Sequence, residues 1–365
     1  MPHTPVTILT GFLGSGKTTL LNRALRDPAM AKTAVVINEF GEVGLDQALA
    51  AKSDDTIMVL ENGCLCCTVF GDLVQTLNRL YHVREANEIP YFDHVVIETS
   101  GLAEPSPVLQ AFLSDPTLAG LYRIGGVIAT VDAVNGPGTL DNHVESVRQV
   151  ALADHILITK LDLVEGDAAA REKELTARLR KINPAARITR IDDPTIDPCL
   201  LLRSSGLDPT DGKADPRAWL NAAAYEHHNH DHHDHHDHDG HDHSHHHGLH
   251  DRDIASFCFI REQPIARDAL RLLLDALQQN LGPNLLRVKG IINVVDEPDK
   301  PAVIQGAQHL LHNLSWLDRW PDDDHRSKIV FITQGFDRDE VEDMIAVLDR
   351  VAARTSAARA KAKSL

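Results

Sequence analysis

The sequence has little that would place it in a membrane or direct it out of the cell. No uninterrupted apolar run approaches about 20 residues, the length that a helix needs to cross a bilayer. The N-terminus, Met1-Pro2-His3, leads directly into a strand-like run and lacks the basic and apolar regions of a secretory signal peptide. At 365 residues, the chain is long enough for two domains, each with its own core.

Cysteine is also scarce, and its count is odd. The chain has five cysteines, and three of them lie within four residues, at Cys64, Cys66 and Cys67. An odd and clustered set argues against a secreted disulfide framework and indicates a reducing compartment. We therefore expect a cytoplasmic protein in which the clustered thiols have a function of their own.

Basic residues are the minority charge. The chain has 36 Lys and Arg against 53 Asp and Glu, so its formal net charge is −17. This excess of negative charge disfavours binding to nucleic acids and to anionic membranes, and we expect neither as a partner. Part of it comes from Asp residues interleaved with His between Glu226 and Asp251, which would attract cations.

Nearly continuous apolar runs alternate with helix-like segments over the first half of the chain. Strands are predicted at residues 6–10, 34–37, 57–60, 94–97, 126–131 and 155–158. Helices are predicted at residues 19–25, 73–83, 107–113, 144–152 and 168–182. Strands that are apolar throughout are typical of sheets covered on both faces. The alternation therefore predicts a three-layer α/β fold with a mostly parallel sheet between helices.

The pattern fades near residue 206, which predicts a first domain over residues 1–205. Residues 206–252 are predicted to be a flexible linker, because their Gly-, Asp- and Pro-rich start leads to a His/Asp tract that cannot form a core. A second, smaller α/β domain is predicted over residues 253–352, closing with a helix at 339–352. Residues 353–365, small and basic, are predicted to be a disordered tail.

A complete phosphate-loop pattern, Gly11-Phe12-Leu13-Gly14-Ser15-Gly16-Lys17-Thr18, follows the first predicted strand and opens the first helix. In this context, backbone amides and the helix start bind phosphate groups, Lys17 reaches the terminal phosphates, and Thr18 ligates Mg²⁺. The residues predicted to contact the nucleotide here are Gly11, Gly14, Ser15, Gly16, Lys17, Thr18 and Thr19.

Two further segments at predicted strand ends extend this site. Glu98 ends the strand at 94–97, where a carboxylate can hold Mg²⁺ or orient water; the alternative is a helix-entry or surface carboxylate. Gly101 can place its amide near the γ-phosphate. Thr159-Lys160-Leu161-Asp162 matches the guanine-reading pattern Asn-Lys-x-Asp, with Thr in place of Asn. Asp162 would accept hydrogen bonds from guanine, and Lys160 would pack along the base.

The three clustered thiols indicate a metal site, because thiolates suit Zn²⁺ and also Co²⁺. Three ligands leave one tetrahedral position open, which fits a transfer site better than a permanent structural site. Glu39 and Glu42 follow the second strand, and each is either an oxygen ligand or part of a switch segment without metal. Redox disulfide chemistry and inert burial remain the alternatives for the cysteines.

The tract from Glu226 to Asp251 adds imidazoles that bind Zn²⁺, Co²⁺ and related ions without selectivity. We expect His232, His235 and His238 to take part in metal capture on a flexible arm. The alternative is a linker without metal.

In their order along the chain, these motifs resemble those of the CobW-type family of metallochaperone GTPases, relatives of the urease and hydrogenase accessory GTPases. The resemblance rests on residues 11–19, 38–42, 61–68, 98–105 and 159–162, and in the second half on residues 287–290 and 305–306. It implies a P-loop GTPase fold, Mg·GTP hydrolysis, zinc or cobalt binding at the Cys-x-Cys-Cys element, and delivery of the metal to a client apoprotein. A nucleotide-dependent homodimer is a further expected assembly.

Hydrolysis is expected to be slow, because no arginine that would stabilise the transition state is readable in the sequence. Two other functions remain open from the residues alone. One is passive metal storage, in which the phosphate loop only stabilises the fold. The other is an ATP-dependent kinase or ATPase that acts on a small substrate, with structural cysteines.

Overall fold

The computed structural model describes residues 3–38, 59–61, 69–204, 215–226, 254–307, 310–311 and 314–363. The chain forms two compact units, Met1–Asp208 and Pro209–Leu365. Within the described ranges, no helix is both long enough and apolar enough to cross a membrane.

The first unit is built on a seven-stranded sheet. Its strands are β1 (Thr4–Gly11), β2 (Thr33–Asn38), β3 (Val59–Glu61), β4 (His94–Thr99), β5 (Tyr122–Asp132), β6 (His155–Thr159) and β7 (Arg187–Arg190). They lie in the order β3-β2-β4-β1-β5-β6-β7, and every pairing is parallel. Parallel neighbours place all the strands' carboxyl ends at one edge of the sheet, which is where ligands bind in such folds.

Helices cover both faces of this sheet. They are α1 (Lys17–Ala24), α2 (Val69–Glu85), α3 (Ser106–Ser114), α4 (Pro116–Leu121), α5 (Gly136–Asn142), α6 (Val144–Leu152), α7 (Ala168–Ile182) and α8 (Pro198–Ser204). In β4, Val95 and Ile97 pack with α2, α3 and α4, whereas Val96 between them packs with α1 and α8. Because alternate residues serve two cores, the strands must be apolar throughout, and the predicted three-layer parallel fold is confirmed.

The second unit is an antiparallel sheet with helices. Its elements are α9 (Pro216–Leu220), α10 (Ala223–Glu226), β8 (Ile254–Arg261), α11 (Arg267–Leu281), β9 (Leu285–Ile292), β10 (Ala302–Ala307), β11 (Leu310–Leu311), β12 (Ser315–Trp316), β13 (Ser327–Gln334) and α12 (Arg338–Lys363). The strand order is β11-β10-β9-β13-β8, and β12 pairs with β10. Leucines spaced along one face of α11 pack on Phe257, Val288 and Phe331.

Part of the segment predicted as a linker is ordered helix. It contains α9 and α10, in which Trp219, Leu220 and Tyr225 are only 7%, 3% and 1% exposed. Asp215 caps α9 by accepting a hydrogen bond from the amide of Arg217. The predicted start of the second domain at residue 253 is therefore too late: three large side chains upstream are already packed, and they outweigh the polar composition around them. Residues 227–250 lie outside the described part of the chain.

The disordered tail predicted from residue 353 is also corrected. Helix α12 begins at Arg338 and continues to Lys363, well past the predicted end at residue 352. The stretch contains neither Gly nor Pro and is rich in Ala, Arg and Lys, which are strong helix formers. Helix propensity favours the continuation of α12 past the predicted end.

Candidate nucleotide site at the carboxyl edge of the parallel sheet

Strand register brings the predicted site residues to one edge. Glu98 on β4 is level with Leu9 on β1 and with Ile37 on β2, and Ile37 is level with Glu61 on β3. On the other side of β1, Gly11 is level with Thr130 of β5. The phosphate loop, Glu98 and the ends of β3 and β5 thus share the carboxyl edge.

Glycine in the phosphate loop (residues 11–18) is required by its backbone. Gly11, Gly14 and Gly16 have φ values of +140°, +71° and +99°, which L residues with a Cβ rarely adopt. A Cβ on Gly11 would also lie 2.4 Å from the Thr130 hydroxyl, whereas one on Gly14 would meet open space. The loop is therefore tightly packed where it leaves β1 and open at its centre, which leaves room for a ligand.

Lys17 opens α1, and its side chain folds back over the loop. Its Nζ donates to the carbonyl oxygens of Gly11 at 2.8 Å and Phe12 at 3.2 Å, and the residue is only 6% exposed. The ammonium is therefore held against the first two residues of the loop. Thr19, in the first turn of α1, is exposed.

Thr18 and Glu98 are brought together across the sheet edge. The Thr18 hydroxyl donates to Oε1 of Glu98 at 2.6 Å, and Glu98 has no solvent exposure. Complete burial excludes the surface-carboxylate alternative. A hydroxyl and a carboxylate at hydrogen-bond distance form the oxygen donor set that Mg²⁺ prefers, so this pair fits that ion beside the loop.

The side chains of Ser15 and Thr159 face into the fold and join the loop to β5 and β6. The Ser15 Oγ lies 2.6 Å from the Thr130 Oγ1. The Thr159 hydroxyl donates to the carbonyl of Ser15 at 2.7 Å, and Thr159 is 3% exposed. Thr159, which replaces Asn in the guanine-reading pattern, thus braces the phosphate loop through a short side chain.

Lys160 extends from the end of β6 across the end of β5. It has φ +59°, and its Nζ donates to Oδ2 of Asp132 at 2.7 Å. Burial alone would raise the pKa of the Asp132 carboxyl, but hydrogen bonds from Lys160, from the Asn135 side chain and from the backbone amides of Val134 and Asn135 hold that pKa below its ordinary value. Asp162 lies in the 3-10 turn that follows, and its side chain is exposed.

Gly101 lies against the phosphate loop. A Cβ at this position would come within 2.5 Å of the backbone nitrogen of Leu13, so only glycine permits this approach. The buried amide of Gln149 on α6 donates to the carbonyls of Gly101 at 3.2 Å and Ala103 at 3.0 Å. The segment after β4 is therefore held between the loop and α6.

Two more contacts tie α6 to the same edge. Arg148 forms an ion pair with Glu104, and both side chains are about four-fifths buried. The ring of His143, just before α6, packs against Phe12 of the phosphate loop in a tilted arrangement, with centroids 4.4 Å apart. The phosphate loop thus contacts the residue before α6, and α6 in turn is paired with the segment after Glu98.

The predicted metal ligands lie outside the described residues: Cys64, Cys66, Cys67, Glu39, Glu42, His232, His235 and His238. In the parts of the chain that are described, no three His, Cys, Asp or Glu side chains lie close enough to hold a metal ion. Cys199 and Cys258 are buried, and burial raises the pKa of the Cys199 thiol to about 11, so that thiol is a packing group.

Asp132, Thr130 and Gln149 are site residues that sequence reasoning missed. Asp132 ends β5 at the carboxyl edge, so the signal that marked Glu98, an acid at a buried strand's end, would have found it as well. Thr130 and Gln149 carry no such signal, because a Thr within a strand and a Gln within a helix are ordinary residues there.

Comparison with known proteins agrees with this geometry. Residues 5–190 match the family model "CobW/HypB/UreG, nucleotide-binding domain". Residues 254–348 match "Cobalamin synthesis protein cobW C-terminal domain". The two matches fall on the two units of the structure.

Individual relatives extend the likeness over nearly the whole chain. The protein is 33% identical over 347 residues to the zinc chaperone YjiA of Escherichia coli, covering 94% of this chain and 98% of that one. It is 33% identical over 201 residues to zinc-regulated GTPase metalloprotein activator 1 of Schizosaccharomyces pombe, covering 52% and 47% of the two chains. The crystal structure of Zn(II)-bound YjiA GTPase superimposes with a TM-score of 0.66 at 29% identity, covering 95% of this chain and 99% of that one. The chain therefore belongs to the CobW/HypB/UreG family of nucleotide-binding proteins, and the cobW C-terminal domain follows the nucleotide-binding domain in its sequence.

Proposed function

We propose that this protein is a GTP-hydrolysing metallochaperone. It binds Zn²⁺, or Co²⁺, at Cys64, Cys66 and Cys67 and passes the ion to a client metalloprotein in its apo form, under the control of the bound nucleotide. The observation that carries the proposal is the register of β2 with its two neighbours, which sets Glu61 of β3 and Glu98 of β4 level with the same residue, Ile37. It starts the cysteine segment from the sheet edge that holds Thr18 and Glu98.

The relatives support both halves of this function. Relatives of the chain are named zinc chaperones and a zinc-regulated GTPase metalloprotein activator, and a structural relative is a Zn(II)-bound GTPase. The match to the YjiA chaperone covers both units, so the second unit belongs to the shared architecture.

The nucleotide half follows from the phosphate loop and its neighbours. Phosphate oxygens would compete with the carbonyl partners of Lys17, because an ammonium bonds more strongly to an anionic oxygen than to a neutral carbonyl oxygen. Thr18 and Glu98 hold Mg²⁺, which neutralises charge on the phosphates when it is bound with GTP. Amides of the loop orient the phosphate chain, and Gly101 brings the segment after β4 to the loop's surface.

Guanine selectivity is assigned to Asp162, in the turn after β6. Its exposed carboxylate can accept hydrogen bonds from N1–H and the 2-amino group of guanine, which adenine cannot donate in the same way. The replacement of Asn by Thr159 fits this assignment, because the Thr hydroxyl braces the phosphate loop and leaves base reading to its neighbours.

The metal half rests on sequence and on chain connectivity. Neighbouring strands are about 4.8 Å apart, so the end of β3 lies about 10 Å from Glu98, two strands away. Cys64 is three residues beyond Glu61, and three residues span at most about 10 Å. A cysteine segment that starts from this point, about 10 Å from Glu98, is suited to a shift in metal affinity when the γ-phosphate is lost. Glu39 and Glu42 follow β2 in the sequence, and β2 lies between β3 and β4 in the sheet.

The partners that complete the function are proteins. Leu13 and Leu102 are 57% and 47% exposed beside the phosphate loop, and they offer apolar surface at the nucleotide edge. A client, or a second copy of the chain in the GTP state, would cover this surface. The His/Asp tract would collect metal for the cysteine site, and the clustered thiols fit a reducing cytoplasm.

The experiment is a titration of the full chain with Co²⁺, because thiolate–Co²⁺ charge-transfer absorption reports the cysteine site and not the His tract. It is run without nucleotide, with Mg·GDP and with a non-hydrolysable GTP analogue. Zn²⁺ affinity follows by competition. We expect the affinity of the thiolate site to differ at least about 10-fold between nucleotide states, a coupling of about 1.4 kcal/mol.

The matched control replaces Cys64, Cys66 and Cys67 by Ser and keeps the His tract, so that the absorption band disappears while weaker metal binding remains. An affinity equal in all three nucleotide states would contradict the proposal and favour passive storage. A wild-type preference for ATP over GTP would instead favour the kinase or ATPase alternative.

A further inference from the structure

The turn that carries Asp162 begins in an unfavourable backbone conformation. Lys160 has φ +59° and ψ +28°, the left-handed region that a residue with a long side chain rarely occupies. Residues 161–163 then form a single 3-10 turn, closed by the amide of Leu163 donating to the Lys160 carbonyl at 3.1 Å. Such a short turn needs an anchor outside itself if Asp162 is to be presented in one position.

Asp132 supplies that anchor from the neighbouring strand. It is level with Thr159 in the register of β5 with β6, and its Oδ2 accepts a hydrogen bond from the Lys160 Nζ at 2.7 Å. The Asp132 side chain is 7% exposed and the Lys160 side chain 31% exposed. The buried carboxylate of Asp132 thus holds the ammonium of Lys160, whose backbone is in the left-handed region.

The Asp132 carboxylate is itself immobilised. Its Oδ1 accepts from the amides of Val134 at 2.7 Å and Asn135 at 3.2 Å, and its Oδ2 accepts from the Asn135 side chain at 3.0 Å. The amide of Ala133 donates to the carbonyl of Thr159 at 2.9 Å and joins the same two strand ends. One side chain therefore fixes the turn after β5 and the turn after β6 relative to each other.

The direction of the Lys160 side chain places this anchor beside the phosphates. β5 lies between β6 and β1 in the sheet, and β1 leads into the phosphate loop. By crossing from β6 to β5, the aliphatic stem of Lys160 lies between the turn that bears Asp162 and the loop that binds phosphate. A nucleoside that joins phosphates in the loop to a base at Asp162 would pass along this stem.

We propose that Asp132 is a positioning residue for the nucleoside: it holds Lys160 in place as one wall of the base site and fixes the turn that presents Asp162. Asp132 itself makes no contact with phosphate. The inference rests on the proposed guanine-nucleotide site and adds a specificity-determining residue to it. Loss of its charge should weaken nucleoside recognition and spare phosphate binding.

The test compares two probes on the full chain by calorimetry in Mg²⁺ buffer with a zinc chelator: GDP, and inorganic tripolyphosphate, which has no nucleoside. Asp132→Asn keeps an oxygen for the amides of Val134 and Asn135 but removes the charge that holds Lys160. We expect the Kd for GDP to rise about 10-fold, the effect of one charge-assisted hydrogen bond, and the Kd for tripolyphosphate to change less than about twofold.

Lys160→Met breaks the same ion pair from the other side and serves as the second variant if Asp132→Asn folds poorly. Its GDP affinity should fall similarly, and the double variant should bind GDP no more weakly than Lys160→Met alone, because both changes remove one shared interaction. Asp93→Asn is the matched control. Asp93 directly precedes β4, at the amino edge of the sheet, and forms an ion pair with Arg203 of α8.

Unchanged GDP affinity in Asp132→Asn, or equal weakening of GDP and tripolyphosphate, would overturn the inference. Additive effects in the double variant would do the same. Preference of the wild-type protein for ADP over GDP is a separate readout, since it would contradict the guanine site of the proposed function and not the anchoring of the turn.

Discussion

The two edges of the parallel sheet carry similar polar residues in different arrangements. At the carboxyl edge, polar groups converge on open space: Lys17 lies over a loop with room at Gly14, and Thr18 meets Glu98 beside it. Three positive-φ glycines and exposed leucines lie at the same edge. These features cost stability and are typical of a binding site.

At the amino edge, polar groups are consumed by the fold. Arg84 donates to the Thr4 hydroxyl and to the carbonyl of Phe92, and its guanidinium stacks on the Phe92 ring. Asn183 donates to the carbonyls of Val150, Ala151 and Ala153, which closes the turn before β6. Here each polar side chain ties the start of a strand to a helix or a loop.

Residue type therefore does not distinguish binding residues from structural residues in this sheet. What distinguishes them is whether they lie at the carboxyl ends or at the amino ends of the strands. Substitutions at the carboxyl edge should reduce turnover with little loss of stability. Substitutions at the amino edge should reduce stability and leave the turnover of the folded protein unchanged. Four predictions test this division, from the largest expected effect to the smallest.

Replacing Lys17 by Ala should lower GTP turnover by about 10³-fold, because it removes a charged donor that is preorganised for the phosphates. The unfolding temperature should change little, since the bonds that are lost lie within the phosphate loop. Phosphate release under single-turnover conditions measures the first and calorimetry the second. Lys173→Ala, an exposed lysine on α7, is the control, and retention of a tenth of the activity by Lys17→Ala would contradict the division.

Replacing Gly101 by Ala should lower kcat/KM for GTP by about 10²-fold, because the new Cβ displaces the backbone of the phosphate loop at Leu13 by a fraction of an ångström or more. Gly120→Ala on α4 is the matched control, since a Cβ there meets open space. That change should leave turnover as it is and stabilise the helix slightly. Equal kinetics for the two variants would show that the approach of residue 101 to the loop is unimportant.

Replacing Asn183 by Ala should destabilise the first unit by about 2–3 kcal/mol, because it removes a buried side-chain amide that donates to three carbonyls at the amino edge. Urea unfolding of the full chain measures the loss, and turnover per folded molecule should be unchanged. Asn142→Ala is the control, because Asn142 makes one exposed hydrogen bond to the Gly138 carbonyl. A turnover defect in Asn183→Ala beyond the unfolded fraction would break the comparison.

Acid should weaken the amino edge through two buried histidines. Burial is the main cause that lowers the pKa of His94 and of His155 to about 4. Between about pH 6.5 and pH 4 the unfolded chain binds a proton at each that the folded chain does not, so stability falls as pH falls through this range. Replacing either residue by Gln should reduce the loss between pH 7 and pH 5 by about 1–2 kcal/mol. Chemical unfolding at each pH, with exposed His82→Gln as control, measures this; parallel curves for all variants would refute it.

Much of the first unit could be predicted from the sequence, because its strands serve two cores and must be apolar. The helices at 144–152 and 168–182 have the predicted bounds, and Glu98 and the phosphate loop lie where strand ends were expected. Strand β7, by contrast, reads Arg-Ile-Thr-Arg and has no apolar run. It forms only because the edge of β6 offers backbone partners.

The sequence by itself determined the fold class, the phosphate loop and the family, because these depend on hydrophobic periodicity and on glycines at fixed spacing. Tertiary structure alone decided that Asp132 meets Lys160, that Thr159 braces the loop at Ser15, and that Gly101 lies on Leu13. These contacts join residues that are 28, 144 and 88 positions apart in the sequence. They can be recognised as neighbours only once strand order and register are known. Strand pairing is a property of the whole sheet, and no local pattern encodes it.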